Sequence, residues 1–478
     1  MKLKLFFLLL IFPFLTSFGQ KQGNVWYFGD HAGIDFNNGF PVALTNGQTN
    51  LANDNMGEGT AVICDNLGHL LFYTNGSKIW NKNQQVMING DSLLSNFSST
   101  QSSLIIPLPG SDHLFYLFTT DDFDIDSLKY GFRYSIIDMC LDNGLGGVVS
   151  GKKNILILDT VAEKLTAVRH TNGIDYWVIV HKYYSDAFYA YRFTANGIID
   201  TVITHIGSIH NAPSPNPTKA AIGYMKASPN GGKIALVSLN RADNIKELFD
   251  FNNSLGVVSN YVDLDIQVDT FGGYGLSFSP DNSKLYYTTT SNVYQYDLNA
   301  GGGNPNSIRS SKTQISFLTN DNAEALQRGP DGKIYVARAN KTFLAVINNP
   351  NQQGLNCNFQ DSAVTLNGKM CNMGLPNLID SYFYSNTTVD CTTGIDELNN
   401  KSLSIKIYPN PAQQFFNIEL PKEQNFSILV YDMTGQKVYE NKNATGVVKV
   451  DCSNFSNGIY FVQAVNATTI LSCKLIKE

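Results

Sequence analysis

The sequence predicts an all-β protein in which a β-propeller is followed by a small β-sandwich. One basis is composition, because aromatic residues make up 12% of the chain and charged residues only 15%. Long helices normally carry many Glu, Lys and Arg pairs, so this balance favours an exported β-protein. The other basis is an internal repeat. The stretch "SPDNSKLYYTTT" at 279–290 returns as "GPDGKIYVAR" at 329–338 and, more loosely, as "SPNGGKIALVS" at 228–238.

The repeated unit is a strand, a turn and a second strand. In "GYGLSFSPDNSKLYYTTT", Leu276 and Phe278 alternate with small residues, and Pro280-Asp281-Asn282 supplies the turn. A third strand, "NVYQYDL", and a fourth, "TQISFL", follow before the unit restarts. Four strands and a restart are typical of a propeller blade. Aligned on the turn, six such units occur, at Asp65, Gly110, Asn172, Asn230, Asp281 and Asp331.

The two ends of this region predict a seventh blade. The stretch "NVWYFGDHAGIDFNNGFPVAL" looks like the last three strands of a blade that has no first strand. The stretch "MGLPNLIDSYFY" at 373–384 belongs to no other unit and can supply that strand. We therefore expect a propeller over 20–385 with seven blades, closed by joining the N- and C-terminal strands. A closed ring leaves only short, protected sheet edges.

The flanking segments have separate roles. "MKLKLFFLLLIFPFLTSFGQ" has two lysines, an apolar run and small residues, which predicts a signal peptide over 1–19 and cleavage before Gln20. No later segment approaches twenty apolar residues, so we expect no transmembrane segment. A small, polar linker is predicted over 386–402. Alternating apolar positions over 403–478 suit a small β-sandwich.

Charge and cysteine content add further constraints. The formal net charge of −6 disfavours nucleic acid and anionic membranes as partners. Among the seven cysteines, Cys357 and Cys371 flank one short segment, and a disulfide between them would close a loop of about 15 residues, worth roughly 3 kcal/mol. Cys64, in "AVICD", is expected to be a core residue. The pairing of the other four is left open, namely Cys140, Cys391, Cys452 and Cys473.

The C-terminal stretch 403–478 resembles the type A sorting domain of the type IX secretion system of the Bacteroidetes. The matching motifs are Tyr408-Pro409-Asn410-Pro411, "VYDMTGQKVYE", "FSNGIYFVQ" and the basic tail "KLIKE". The resemblance implies passage through the outer membrane of a Gram-negative bacterium, with the secretion machinery and a surface sortase as partners. It also implies removal of this domain, leaving the product secreted or on the outer surface.

The preceding region, roughly 24–384, resembles the β-propeller of exported, gliding-motility-associated proteins from the same bacteria. The resemblance rests on stretches such as "WYFGDHAGIDF", "EGTAVICDNLGHLLFYTNGSKIWN" and "EKLTAVRHTNGIDYWVIVH". It implies fold and destination but no chemistry.

The candidate site is the central channel of the propeller. The first strand of each blade lines the channel, and the starts of these strands form one of its mouths. We expect three carboxylates to converge there as catalytic or cation-binding groups: Glu58, Glu163 and Glu324. Four further side chains are candidate ligand contacts: Gln101, Lys164, Asn322 and Arg328. The alternative is that these groups only bond neighbouring blades, as most buried polar groups do.

A second candidate is the acidic run "DDFDID". Asp122, Asp124 and Asp126 have the alternate spacing of a calcium loop. However, Ser127 stands in place of the turn glycine and Arg133 in place of a bidentate Glu, so a solvated acidic loop is the competing interpretation. Calcium is the single cofactor that these residues suggest.

Three functions remain open at the level of sequence. The favoured one is a non-enzymatic, exported binding or adhesion module for a glycan, protein or surface polymer. The second is a secreted carbohydrate-active or other hydrolytic enzyme that uses the channel carboxylates. The third is a structural surface scaffold. The sequence contains no His-Glu-x-x-His and no Gly-x-Ser-x-Gly motif, so no catalytic signature favours the enzyme.

Overall fold

The computed structural model describes residues 21–49, 57–210, 220–239, 245–264, 272–289, 291–316, 318, 322–380, 405–420, 425–433, 435–466 and 470–478. The predicted signal peptide, the predicted linker and Cys391 lie outside these residues. The chain divides into two compact units, Met1–Cys391 and Thr392–Glu478. The division falls inside the predicted linker.

The described part of the first unit contains seven small antiparallel sheets. Their strands pair in chain order within each sheet, except that β10 and β11 both pair with β9. The sheets are β1 (Val25–Phe28), β2 (Ala32–Asp35) and β3 (Val42–Leu44); β4 (Ala61–Cys64), β5 (Leu70–Thr74) and β6 (Ile79–Asn81); β7 (Ser103–Pro107), β8 (Leu114–Thr120), β9 (Phe132–Asp138), β10 (Gly147–Val148) and β11 (Ile155–Leu158); β12 (Val161–Arg169), β13 (Tyr176–Lys182), β14 (Ala187–Thr194) and β15 (Gly197–His205); β16 (Met225–Ala227), β17 (Lys233–Val237), β18 (Lys246–Asn252) and β19 (Val257–Asp263); β20 (Leu276–Phe278), β21 (Lys284–Thr288), β22 (Val293–Asp297) and β23 (Thr313–Gln314); and β24 (Ala323–Arg328), β25 (Ile334–Arg338), β26 (Phe343–Ile347) and β27 (Phe359–Thr365).

Helical structure is minor within the described residues. One short α-helix, α1, spans Pro305–Ser310. Three 3-10 helices span Asp142–Gly144, Ala300–Gly302 and Gly354–Cys357. The prediction of an all-β chain is confirmed.

The repeated turn motif joins the first two strands of a sheet. Ser279 donates from Oγ to Asp281 Oδ1 (2.7 Å) and accepts at Oγ from Lys284 N (2.8 Å), so the side chains close the turn from within. Lys284 Nζ then reaches Asp297 Oδ1 on the third strand (2.9 Å). Ser228 makes the equivalent bonds in the looser copy at 228–233. The two stretches resemble each other in sequence because the same side-chain bonds close the turn in both sheets.

Successive sheets contact one another through their inner strands. β4, β7, β12, β16, β20 and β24 form a series in which each strand contacts the next, and β1 contacts β4. The first and last sheets also meet, because the Trp26 ring of β1 packs edge-on against the Tyr335 ring of β25 at 5.4 Å between centroids. Trp26 and Tyr335 are both buried in the same core cluster.

Residues 373–377 lie between β24 and the segment that leads into β4. Ala325 N donates to Met373 O (3.0 Å), and Asn377 N donates to Thr60 O (2.7 Å). A Cβ added at Gly374 would lie 1.3 Å from Glu58 O, so the two backbones approach more closely than any side chain permits. The predicted ring closure requires contacts of this kind. The count of seven blades and the closure itself stay predictions.

The second unit contains two sheets in its described residues. One consists of β28 (Lys406–Tyr408), β29 (Phe415–Glu419) and β32 (Val447–Asp451). The other consists of β30 (Phe426–Tyr431), β31 (Lys437–Ala444), β33 (Gly458–Val465) and β34 (Ile470–Lys477). Residues of both sheets, including Phe416, Ile418, Ile428 and Val462, share one buried core, as the predicted sandwich requires.

The predicted disulfide between Cys357 and Cys371 is wrong. Both are buried, free cysteines, and they belong to different core clusters. The seven residues of β27 lie between them, and an extended strand of that length spans roughly 23 Å. Cys64 is a buried core residue, as predicted. Cys140 is disulfide-bonded.

We expect Gly374→Ala to destabilise the first unit by about 2 kcal/mol or more, because the new methyl group overlaps the Glu58 backbone and the inner strands must separate. Calorimetry of the full chain measures the change in Tm. Gly232→Ala is the matched control, since its added Cβ has no contact nearer than 3.4 Å. Equal Tm values for the two variants would contradict the placement of 373–377 beside Glu58.

Candidate functional site

The three predicted channel carboxyls are buried where the inner strands begin. Glu58 precedes β4, Glu163 lies in β12 and Glu324 in β24. The charges of Glu163 and Glu324 both raise the pKa of Glu58. The three carboxyls therefore form one electrostatically interacting group.

Glu58 and Glu163 are held by hydrogen bonds from neighbouring sheets. Tyr274 Oη donates to Glu58 Oε2 (2.7 Å). Thr100 donates to Glu163 Oε2 from both its backbone N (2.8 Å) and its Oγ1 (2.7 Å), and Phe123 N donates to Glu163 Oε1 (2.8 Å). Both oxygens of Glu163 are therefore satisfied within the protein.

Glu324 differs from the other two carboxyls. Its Oε2 is buried and has no hydrogen-bond partner among the described residues, and the same is true of the nearby Tyr224 Oη. Burial raises the pKa of Glu324 to about 8 and that of Glu163 to about 7. Burial, followed by the charge of Glu163, raises the pKa of Glu58 well above its usual range. Glu58 and Glu324 are thus largely protonated at neutral pH.

Gln101 and Lys164 connect sheets and face no open space. Gln101 Oε1 accepts from Leu165 N (3.2 Å) and Met225 N (2.8 Å). Lys164 Nζ donates to three successive backbone carbonyls, those of Ala220 (3.3 Å), Ala221 (2.8 Å) and Ile222 (3.1 Å). Burial lowers the pKa of Lys164 to about 7.

The other two predicted contacts do not join this group. Arg328 ends β24 four residues after Glu324, and four residues of extended strand cover roughly 13 Å. Its Nη2 donates to Asp380 O (2.6 Å). Asn322 is exposed, and its backbone O accepts from Arg338 Nε (3.2 Å). Placing Arg328 at one channel mouth with Glu58 was wrong, because it lies at the opposite end of β24 from Glu324, whereas the placement of Asn322, next to the start of β24, stays a prediction.

A polar network that sequence reasoning missed links the other ends of the inner strands. Lys226 Nζ donates to Gln327 Oε1 (2.7 Å) and Asn377 Oδ1 (3.1 Å), and Asn377 Nδ2 donates to Leu165 O (3.0 Å). All of these side chains are buried. A lysine inside the apolar stretch "GYMKAS" was the available signal, since a buried ammonium requires acceptors.

The acidic loop also differs from its prediction. The carboxylate oxygens that lie within 4.8 Å of one another belong to Asp121, Asp122 and Asp126, whereas Asp124 is exposed and is not in this group. Lys129 Nζ lies 2.6 Å from Asp126 Oδ1. Asp122 Oδ2 accepts from Ile125 N (2.7 Å), which closes the turn without a cation. Burial raises the pKa of Asp121 to about 6. Calcium binding here stays a prediction.

A second group with suitable ligand atoms combines His113, Asp138 and Cys140. Since Cys140 is disulfide-bonded, its sulfur is not a thiolate ligand. His113 Nδ1 lies 2.8 Å from Asp112 Oδ1.

Three connections between strands expose apolar side chains and contact one another. We call them the loop face: the loop 121–131, the turn 183–185 and the loop 206–210. The rings of Phe123 and Tyr183 pack at 5.4 Å between centroids, and Tyr184 N donates to His210 O (3.0 Å). The loop face exposes Tyr184 (60%), Ile209 (57%) and Ile125 (57%). An aromatic pair inside the turn sequence "HKYYSDAF" was the signal in the sequence.

The predicted sorting motif lies in the second unit. Asn410 connects it to the last strand, because its Nδ2 donates to Lys474 O (2.8 Å) and its Oδ1 accepts from Ile476 N (2.8 Å). Tyr408 is exposed, and both Pro409 and Pro411 follow cis peptide bonds. The motifs "VYDMTGQKVYE" and "FSNGIYFVQ" together line a cleft of about 480 Å³.

Residues 406–478 match the family described as a secretion system C-terminal sorting domain. The chain carries a type IX sorting domain. It is exported, to the cell surface or into the medium, and the type IX secretion machinery is a partner. The α-helix in the described part of the chain has six residues, and no membrane-spanning helix is found there.

The comparisons with solved structures give distant similarities. A protein from Lactobacillus plantarum is 14% identical, with 80% of this chain and 95% of that chain covered and a TM-score of 0.37. A putative 6-phosphogluconolactonase from Bacteroides uniformis is 14% identical, with 80% and 95% covered and a TM-score of 0.34. The Dos1 propeller is 11% identical, with 64% and 69% covered and a TM-score of 0.35. Among curated proteins, none matches this chain.

We expect Glu324→Gln to reduce the pH dependence of stability. The folded-state pKa of about 8 lies above the ordinary value, so the contribution of Glu324 is fully present below pH 4.5 and is lost as pH rises towards 8, by a few kcal/mol in total. Calorimetry between pH 5 and 8.5 should show a smaller fall in Tm for the variant. The slope will not vanish, because Glu58 and Glu163 titrate in the same direction. Asp200→Asn, on an exposed strand, is the control. Identical slopes in wild type and Glu324→Gln would contradict the assignment.

Proposed function

We propose that this exported protein is a non-enzymatic binding module whose ligand is a carbohydrate, and that the loop face is its binding surface. The observation that carries the proposal is the exposure of an aromatic and two aliphatic side chains, Tyr184, Ile209 and Ile125, on connections that contact one another. The resemblance of residues 24–384 to gliding-motility-associated propellers supports a role at the cell surface.

The position of the channel carboxyls supports binding over hydrolysis. A glycosidase needs two carboxyl groups that reach substrate in an open cleft. Glu58, Glu163 and Glu324 are instead buried, and both oxygens of Glu163 accept hydrogen bonds from Thr100 and Phe123. Glu58 and Glu163 are better explained as links between sheets.

The composition of the loop face favours a sugar. An exposed tyrosine ring offers a flat apolar surface for a pyranose face, and adjacent polar groups orient the hydroxyls. Asp124, Ser127 and Lys129 are exposed on the same loop as Ile125 and supply acceptors and donors. A protein partner would require a larger contiguous apolar surface.

We expect Tyr184→Ala to weaken binding to immobilised extracellular polysaccharides at least tenfold, or about 1.4 kcal/mol. The loss follows from removal of the ring on which the sugar packs. Phe40→Ala is the matched control, because Phe40 is equally exposed (62%) but lies outside the loop face. Unchanged binding in Tyr184→Ala, or an equal loss in Phe40→Ala, would contradict the proposed surface. Binding to cell-surface proteins but to no polysaccharide would replace the sugar with a protein ligand.

We expect the mature protein to begin at Gln20 and to lack the sorting domain, because the resemblance implies that both signals are removed during export. Peptide mapping of protein recovered from the medium and from the cell surface tests this. Deletion of 403–478 should leave the chain inside the cell, with the full-length chain as control. Sorting-domain peptides in the surface fraction would mean that the domain is retained and has a role of its own.

A further inference from the structure

His181 and His210 form an unusual pair beneath the loop face. His181 lies in β13, and His210 ends the loop 206–210. Their rings stack at 3.9 Å between centroids with 29° between planes, and both side chains are fully buried. None of their four ring nitrogens makes a hydrogen bond of normal geometry among the described residues, although a weaker contact with the Lys182 backbone acts on His181. Burying two imidazoles without good hydrogen-bond partners costs free energy. A change that lets the ring nitrogens bond to water or take up protons would recover it.

A metal ion does not explain the pair. Among the described side chains, ligand atoms converge within 4.8 Å in the acidic loop and around His113, and neither group includes His181 or His210. His210 Nε2 lies 3.8 Å from Glu247 Oε2, but His181 supplies no third ligand atom at that spacing. Lys164 also faces both rings, and its charge opposes a bound cation.

The charged groups around the pair determine the electrostatic environment of a proton that binds either ring. The charge of Lys164, in β12, lowers the pKa of both imidazoles. The charge of Asp186, in the turn before β14, raises the pKa of His181. Glu247 of β18 stands beside His210, with Tyr261 of β19 in turn beside Glu247. On the remaining side, the Phe188 ring packs edge-on against His181 at 4.7 Å. The pair is thus enclosed by one cation, one close carboxyl and an aromatic ring.

The backbone of His210 holds the loop face together. His210 N donates to Ser185 O (3.0 Å), and its O accepts from Tyr184 N (3.0 Å). Two residues earlier, Ser208 N donates to Glu247 Oε1 (2.8 Å). Movement of His210 out of its buried position therefore breaks the contact between the turn that carries Tyr184 and the loop that carries Ile209.

We propose that the stacked His181–His210 pair is a proton-binding site that releases the loop 206–210 from the turn 183–185 at acid pH. In the closed state, each added proton creates a buried cation beside Lys164. In the opened state, both rings reach water and accept protons freely. Burial lowers the pKa of both histidines well below its usual range, which agrees with this geometry.

The expected pH dependence follows from proton counting. Below about pH 6.5, opening lets two histidines take up protons. Opening also hydrates Glu247, whose pKa burial raises to about 7, so Glu247 releases one proton. The net uptake approaches one proton as the histidines become protonated, so the opened population should rise roughly 15-fold in all between pH 6.5 and 5.

Hydrogen–deuterium exchange of the full chain tests the inference, with rates corrected for the intrinsic effect of pH. Peptides covering 183–189 and 203–210 should lose about 15-fold in protection between pH 6.5 and 5, whereas a peptide covering 334–347 should not. His181→Phe/His210→Phe keeps two stacked rings and should abolish or reverse the slope. His205→Gln is the matched control, because His205 is exposed and bonds Asp186 in the same hairpin. A slope of zero in wild type, or an unchanged slope in the double variant, would overturn the proposal.

A second measurement tests the proposal even if the double variant does not fold. Exchange of the imidazole C2 hydrogens in the wild-type chain reports the pKa of each histidine separately. Values for His181 and His210 below the ordinary histidine pKa of about 6.5 are expected, and values at or above it would overturn the proposal. Loss of polysaccharide binding at pH 5 rests on the proposed function. Opening at acid pH with unchanged binding would refute the loop face as the binding surface and leave the proton site standing.

Discussion

The buried polar groups on the inner strands constrain the rest of the first unit. At the places where these strands approach one another, an amide, carboxyl or ammonium has no water and must find its partner in a neighbouring sheet. Gln101 bonds the backbones of β12 and β16, while Asn377 is bonded to Lys226 and to β12. Such bonds fix the register of one sheet relative to the next, which nondirectional apolar packing does not do. The aromatic layers between sheets then add the bulk of the burial.

This arrangement separates support from recognition. Glu58 and Glu163 are engaged in hydrogen bonds that hold the sheets, and the ligand surface that we propose lies on the connections between strands. Loops carried by a rigid scaffold are the usual place for binding residues. In this protein the loop 121–131 and the turn 183–185 share a small apolar cluster that includes Leu128 and Tyr183, and the turn is bonded to the loop 206–210 through Tyr184 N and His210 O.

Two sets of buried titratable groups respond to pH in opposite directions. Glu58, Glu163 and Glu324 bind protons more tightly in the folded state than in the unfolded state. Their contribution to the stability of the fold is therefore largest at acid pH. His181 and His210 bind protons less tightly in the folded state, so acid pH destabilises their buried arrangement. The carboxyls lie where the sheets meet, whereas the histidines lie beneath the loop face. Mild acid therefore leaves the sheets intact while it loosens the loops, a local effect that a single global Tm would not reveal.

The sequence alone determined the features that depend on short-range chemistry. The turns at Asp281 and Asp331 follow from side chains that bond backbone within a few residues, and the export signal follows from motifs in one contiguous stretch. The tertiary structure decided which candidate groups have partners. Glu163 is satisfied by Thr100 and Phe123, distant in sequence, while Glu324 is not, and nothing local distinguishes them. Likewise, Asp121 replaces Asp124 in the acidic group because the loop doubles back through left-handed Ser127 and Leu128. The pairing of His181 with His210 also depends on where the chain returns after β15. Hydrogen bonds within a turn depend on neighbouring residues, whereas the burial of a side chain and its hydrogen-bond partners depend on the path of the whole chain.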